Sequence, residues 1–235
     1  VRLRLREYGA FVRLPFGRRV RPLLLNAYGM VELGGIAMLG VAASFLPGDG
    51  DVCLPIPRFK IRVADESGRP VPNGTVGECL VKGPSLSKGY WNDPGGSAAL
   101  LNDDRWLRTG DLAVRNRIGM IRLVGRAKDV IKCGGYSVYA RELEEAMASH
   151  PAVARAAAFG VPHDEKGEVP VGVIELRTAG GAVEQDLLLW CRDKLAVYKS
   201  PRRIHVLDPG EMPQGVTSKV LKNVLFERFA GSAIQ

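Results

Sequence analysis

The sequence predicts a fold of the α/β and β class in two parts. Up to about residue 126, short alternating segments separated by turn signals suit a small barrel or curled sheet. After residue 127, helical and strand patterns alternate as in a compact α+β unit of about 110 residues, within the usual range for a domain. Between the two lies Gly125-Arg126-Ala127-Lys128-Asp129-Val130-Ile131-Lys132-Cys133-Gly134-Gly135-Tyr136, a basic, glycine-ended stretch that reads either as a hinge or as a surface turn with solvated charges.

In order along the chain, residues 1–6 alternate apolar and arginine residues, as in an edge strand or a short basic helix. The apolar run Leu23-Leu24-Leu25 suits a buried strand that ends in Asn26-Ala27-Tyr28-Gly29-Met30-Val31-Glu32-Leu33-Gly34-Gly35. A carboxylate just past such a strand, with glycines around it, can face a metal ion; an ordinary strand exit looks the same. Phe59–Val63 and Val76–Gly83 read as strands, and Lys88-Gly89-Tyr90-Trp91 leads into a polar loop, Asn92-Asp93-Pro94-Gly95-Gly96. In Trp106–Leu112, Asp111 follows Gly110 at a strand end, where its two carboxylate oxygens could take a sugar diol or serve a plain turn. Asn116–Gly119 is a turn, and Met120–Val124 is a strand that runs into the basic stretch.

Beyond that stretch, Leu143 and Met147 share a face of a helix from Arg141 to His150, with Ser137 as a candidate cap and Pro151 as the stop. Ala156–Val161, Val169–Leu176 and Ile204–Leu207 read as strands. Leu188, Cys191 and Leu195 mark a second helix, and Leu221, Val224, Leu225 and Phe229 a last one. Lys219 and Lys222, taken alone, read as helix-start lysines with solvated heads.

Composition excludes several classes. The net charge is +8, but residues 1–21 hold seven arginines against Glu7 and so carry +6 of it. A uniformly basic face for nucleic acid is therefore not expected; the arginine-rich start reads as the edge of a helix or strand, with a polyanion- or membrane-surface arm as the alternative. Cys53, Cys79, Cys133 and Cys191 are widely spaced, as are the three histidines, so neither a zinc or redox motif nor a serine–histidine triad is expected. No apolar run is long enough for a transmembrane segment and no signal peptide is evident, which predicts a cytoplasmic protein, free or peripheral to a membrane. The chain opens on Val1, which predicts a coding start upstream.

Taken together, these segments resemble the C-terminal half of the adenylate-forming enzymes: acyl-CoA synthetases, firefly luciferase and the adenylation domains of peptide synthetases. Tyr28-Gly29-Met30-Val31-Glu32 is similar to the family's Tyr-Gly-x-Thr-Glu, and Gly77-Glu78 through Gly89-Tyr90 to its Gly-Glu…Gly…Gly-Tyr segment. Arg108-Thr109-Gly110-Asp111 resembles its Arg-Thr-Gly-Asp, and Gly125 to Gly135 its hinge motif. Val161–Asp164 with Gly167-Glu168, Tyr198–Pro201, and Pro213 to Lys219 resemble later segments, the last carrying the catalytic lysine.

The resemblance implies a two-step reaction. A carboxylic acid, fatty or otherwise apolar, attacks ATP with Mg²⁺ to give an acyl-adenylate, and a thiol, usually coenzyme A, then displaces AMP. It implies that Tyr28, Asp111 and Arg126 bind nucleotide, Glu32 holds Mg²⁺, and Lys219 bridges carboxylate and nucleotide oxygens. It further implies a rotation about Lys128, a role for Lys132 in the thioester step, and room for the pantetheine arm at a Gly134-Gly135 strand. The domains it implies are 1–126, a remnant of the large AMP-binding domain with the barrel-like subdomain, and 127–235, the mobile C-terminal domain. Its phosphate loop has no counterpart in residues 1–27, so the resemblance predicts the activity for a parent protein rather than for these residues alone. Val31 stands where the family has threonine, a lost hydrogen bond to a charged group that is worth about 1.5–3 kcal/mol. Ser218 replaces a glycine, Gln214-Gly215 the common Arg-Thr, and Ala140 a proline. Loading of a carrier-protein thiol and a non-catalytic nucleotide-binding homologue are the alternatives.

Overall fold

The computed structural model describes residues 12–13, 19–20, 24–42, 52–216 and 218–231. It divides into two compact units, Val1–Leu123 and Val124–Gln235. The alternating stretch at residues 1–6 lies outside the described residues.

In the first unit, β1 (Val12–Arg13) and β2 (Arg19–Val20) form a two-residue antiparallel pair. The main sheet is built from β3 (Leu24–Met30), β4 (Gly35–Ala42), β5 (Val52–Pro55), β6 (Lys60–Ala64), β7 (Val76–Lys82), β8 (Leu107–Arg115) and β9 (Ile121–Arg126). Its order, β3-β4-β5-β9-β8-β7-β6, is an open path, so a curled sheet describes it and a closed barrel does not. Met38, Cys79, Val81, Leu107 and Ile121 form its core, against which Tyr28 packs partly buried. The polar loop expected at Asn92–Gly96 instead opens a short helix, α1 (Pro94–Leu100). Asp93 caps it by accepting the Gly96 N–H at 2.8 Å, and proline sits in its first turn, where the missing N–H costs nothing.

The second unit is organised on a hairpin of two long strands, β12 (Val153–His163) and β13 (Gly167–Leu176). β13 also pairs in parallel with β14 (Arg203–Leu207) and, at Cys133↔Gly167, with β10 (Val130–Cys133), which continues to β11 (Tyr136–Tyr139). β13 is buried along nearly its whole length because both faces are covered. On one face, α2 (Ala140–Ala148) and α3 (Glu184–Arg192) bring Leu143, Met147, Leu187 and Cys191 onto Ile174 and Leu176. On the other, Leu225 of α4 (Lys222–Phe229) packs with Met212 against Phe159, Val171 and Val173.

Leu143 and Met147 occupy the buried face that their four-residue spacing predicts. Ser137, expected as the cap, lies within β11; the residue before α2 is Tyr139, and it offers no side-chain cap. Leu143→Ala leaves a cavity at a fully buried site. Urea denaturation is expected to show a loss of about 2–5 kcal/mol in the stability of the second unit.

Candidate functional site

The sequence Arg108-Thr109-Gly110-Asp111 is a bulge. Between the pairs Glu78↔Leu112 and Leu80↔Arg108, Cys79 of β7 stands opposite Thr109, Gly110 and Asp111 of β8. Gly110 takes a φ of 68°, which a residue with a Cβ adopts only under strain. Glu78 braces the bulge: its Oε2 accepts from Arg108 Nε and a second guanidinium nitrogen at 3.0 and 2.6 Å, and its Oε1 accepts the Gly110 N–H at 3.2 Å. Thr109 Oγ1 donates to the Cys79 carbonyl at 2.7 Å and accepts the Asp111 N–H at 3.1 Å.

The bulge leaves Asp111 in the buried register of β8, only 9% exposed, so it is no simple turn aspartate. A carboxylate there must be hydrogen-bonded. Tyr28 Oη, from the end of β3, donates to its Oδ2 at 2.6 Å. Burial, then the neighbouring Cys79 sulfur and the Asp111 hydrogen bond, push the Tyr28 phenol up, so it stays protonated and remains the donor. Burial, with Asp111 next, pushes the Cys79 thiol up to about 12, which makes it inert packing rather than a nucleophile.

Past Tyr28, a bulge shifts the β3–β4 register, and the chain makes one turn of 3₁₀ helix, Val31–Leu33, that closes on left-handed Gly34. A side chain on Gly34 would meet the Ser85 carbonyl, which explains the close approach of that loop. The turn presents Glu32, whose Oε1 accepts from Tyr90 Oη at 2.8 Å while its carbonyl accepts the Ser87 N–H at 2.8 Å. Glu32 therefore takes a partner other than Tyr28 and Asp111. Val31 is 92% exposed, with no hydroxyl to offer a ligand. Among the described residues no group of three or more His, Cys, Asp or Glu could hold a metal. A Mg²⁺ on Glu32 would complete its shell with phosphate oxygens and water, as this ion commonly does.

In the second unit, Lys128 sits exposed in a turn of 3₁₀ helix, Ala127–Asp129, directly after exposed Arg126. Lys132 on β10 is exposed, its Nζ donating to Ser137 Oγ across the hairpin at 3.1 Å and its N–H to Glu168 Oε2 at 2.8 Å. Gly134 and Gly135, with φ of 56° and 81°, are the two residues of the β10–β11 turn and not a strand. That turn type needs positive φ at both positions, and nothing lies within 4 Å of where a Cβ would sit on either. Lys219 is exposed in a small hairpin that precedes α4 and is not its first residue; Gln214 bridges Val220, and the Gly215 N–H donates to the Lys219 carbonyl at 2.9 Å. Lys222 opens α4, and its head is paired rather than solvated: it lies 3.3 Å from Asp129 and 2.6 Å from Glu144.

Glu78 and Tyr90 are the site residues that went without a role in the sequence. Each acts across the chain, and linear order shows no pairing at such separations. Ser218, with φ of 57°, holds the left-handed conformation that the glycine it replaces would adopt freely.

A family model of the AMP-binding enzyme matches residues 7–91, and one of the AMP-binding enzyme C-terminal domain matches residues 142–219. A long-chain-fatty-acid–CoA ligase of Escherichia coli O6:H1 is 33% identical over 213 residues, 88% of this chain and 36% of that protein. A feruloyl-CoA synthase of Amycolatopsis sp is 34% identical over 206 residues, 87% of this chain and 41% of that protein. Among solved structures, ATP-bound MatB from Rhodopseudomonas palustris matches with a TM-score of 0.78 at 30% identity, over 89% of this chain and 41% of that one. The chain thus spans well under half the length of these relatives.

Ser218→Gly is expected to raise stability by about 0.5–1 kcal/mol by relieving the left-handed serine, measured as a higher Tm.

Proposed function

This chain belongs to the AMP-binding enzymes, and we propose that it is part of an ATP-dependent acyl-CoA synthetase that activates a fatty or other apolar carboxylic acid. The observation that carries the reading is the Tyr28–Asp111 hydrogen bond, which holds a buried carboxylate at a bulge where a sugar diol can be bound.

In the first step the acid's carboxylate oxygen attacks the α-phosphorus of ATP; the acyl–phosphate bond forms and pyrophosphate leaves. Asp111 accepts hydrogen bonds from the ribose hydroxyls, and Tyr28 both orients that carboxylate and lines the adenine and phosphate region. Arg126 binds ribose or phosphate. Mg²⁺, when bound, neutralises phosphate charge, and Glu32 is the carboxylate that would hold it. Lys219 would bridge the carboxylate and nucleotide oxygens and stabilise the charge that develops between them.

In the second step the coenzyme A sulfur attacks the acyl carbonyl, AMP leaves, and the thiol proton is lost. In this reading the functional domains are 1–126 and 127–235, three residues beyond the division into compact units, and the second turns about Lys128 between the steps. Lys132 and the Gly134-Gly135 turn then face the thiol; the space open around both glycines suits an approaching pantetheine arm. A carrier-protein thiol would be served by the same residues. Exposed Val31 and strained Ser218 favour a second reading, a homologue that binds nucleotide without turning it over.

ATP–pyrophosphate exchange with Mg²⁺ and a panel of fatty and aromatic acids tests the proposal. Acid-dependent exchange is expected in the protein that carries this segment, and Lys219→Ala is expected to lower it by about 10²–10³-fold. Exchange undiminished by Lys219→Ala overturns the lysine's role, and nucleotide binding without exchange for any acid favours the second reading.

A further inference from the structure

Lys222 reads in the sequence as a helix-start lysine with a solvated head, yet it meets two carboxylates. Its Nζ bridges Asp129 Oδ2 at 3.3 Å and Glu144 Oε1 at 2.6 Å, with all three side chains between 23% and 31% exposed. Glu144 is itself held from the other side, because the same Oε1 accepts the Ala158 N–H of β12 at 3.0 Å. Asp129 is the last residue of the 3₁₀ turn that contains Lys128, and that turn is closed by the Val130 N–H on the Ala127 carbonyl. Lys222 is the first residue of α4, directly after the hairpin that carries Lys219.

We propose that Lys222 is a positioning residue, a strut that ties the Lys128 turn to the base of the Lys219 hairpin through Asp129, with Glu144 as its anchor on α2. The inference rests on the reading of Lys128 as the hinge and Lys219 as the lysine delivered to the nucleotide. The chain from β12 through Glu144 and Lys222 to Asp129 pins the backbone on the C-terminal side of Lys128. A dihedral change at the hinge is then absorbed at Lys128 or before it, instead of being spread into Asp129 and β10. For the same reason Lys219 travels with the turn as one body, and its place relative to the hinge does not depend on loop flexibility. A carboxylate pair converging on one ammonium gives the strut more hold than a single exposed ion pair has.

Hydrogen exchange read by mass spectrometry on the 235-residue chain tests this, with Lys222→Met removing the charge while keeping the stem and Lys222→Arg restoring it. The amides of residues 127–131 are expected to exchange about tenfold faster in Lys222→Met, with those of β12 and β13 unchanged, and to return to within about twofold of the parent in Lys222→Arg. Asp129→Asn is expected to reproduce the Met variant. Unchanged exchange in the turn overturns the strut, and acceleration spread through β12 and β13 shows a merely structural role and overturns it equally. The readout needs no turnover, so a chain that fails to adenylate leaves this result independent of the proposed function.

Discussion

The candidate site in the first unit is organised around a hydrogen bond from Tyr28 Oη to Asp111 Oδ2 at 2.6 Å. A carboxylate in the buried register of a strand costs several kcal/mol unless it is satisfied. Here one donor comes from a strand at the far end of the sheet path, 83 residues away. The constraint runs outward from there. Asp111 reaches the buried side because three residues of β8 face one of β7, and that bulge holds because Gly110 accepts a positive φ and Glu78 binds both Arg108 and the Gly110 N–H. The high phenol pKa and the inert thiol of Cys79 are products of the same burial.

The second unit solves a different problem: it places exposed lysines on short, open elements without letting them wander. Its two-faced β13 supplies the buried centre, and Lys132, Lys128 and Lys219 lie on the β10–β11 hairpin, a 3₁₀ turn and a second small hairpin. Lys132 is held by Ser137 and through its backbone by Glu168. Lys219 has its backbone fixed by the Gly215 bond while its head remains exposed.

Much of this was legible in the sequence, and the reasons for the exceptions are physical. Strands with clean alternation, such as β6, and the Leu143–Met147 helix face followed from periodicity, because burial on one side imposes it. The fourth-residue spacing says nothing of caps, so Ser137 was misplaced. The helix at Pro94 was hidden by Gly95-Gly96, although Asp93-Pro94 is a start signal of the kind that could have found it. The double glycine at residues 134–135 served a turn, where positive φ at both positions is required, rather than a strand. The barrel-like closure did not follow from strand and turn spacing, since spacing does not say which edges meet. Asp111 is singled out by its local sequence and Tyr28 only by the resemblance, but their contact is not legible, and neither are Glu78 with Arg108 and Tyr90 with Glu32. Side chains that meet across a sheet leave no trace in linear order.

The central claim is that Tyr28 acts through Asp111 to present a nucleotide-binding carboxylate. Calorimetric titration of AMP into the chain, its Tyr28→Phe and Asp111→Asn variants and the double variant tests it most directly. The account predicts that Asp111→Asn weakens binding by about 10–100-fold, the worth of a hydrogen bond to a charged group. It predicts a smaller loss for Tyr28→Phe, and a double variant no weaker than Asp111→Asn within about twofold. Losses that simply add, or AMP binding indifferent to Asp111→Asn, would contradict it.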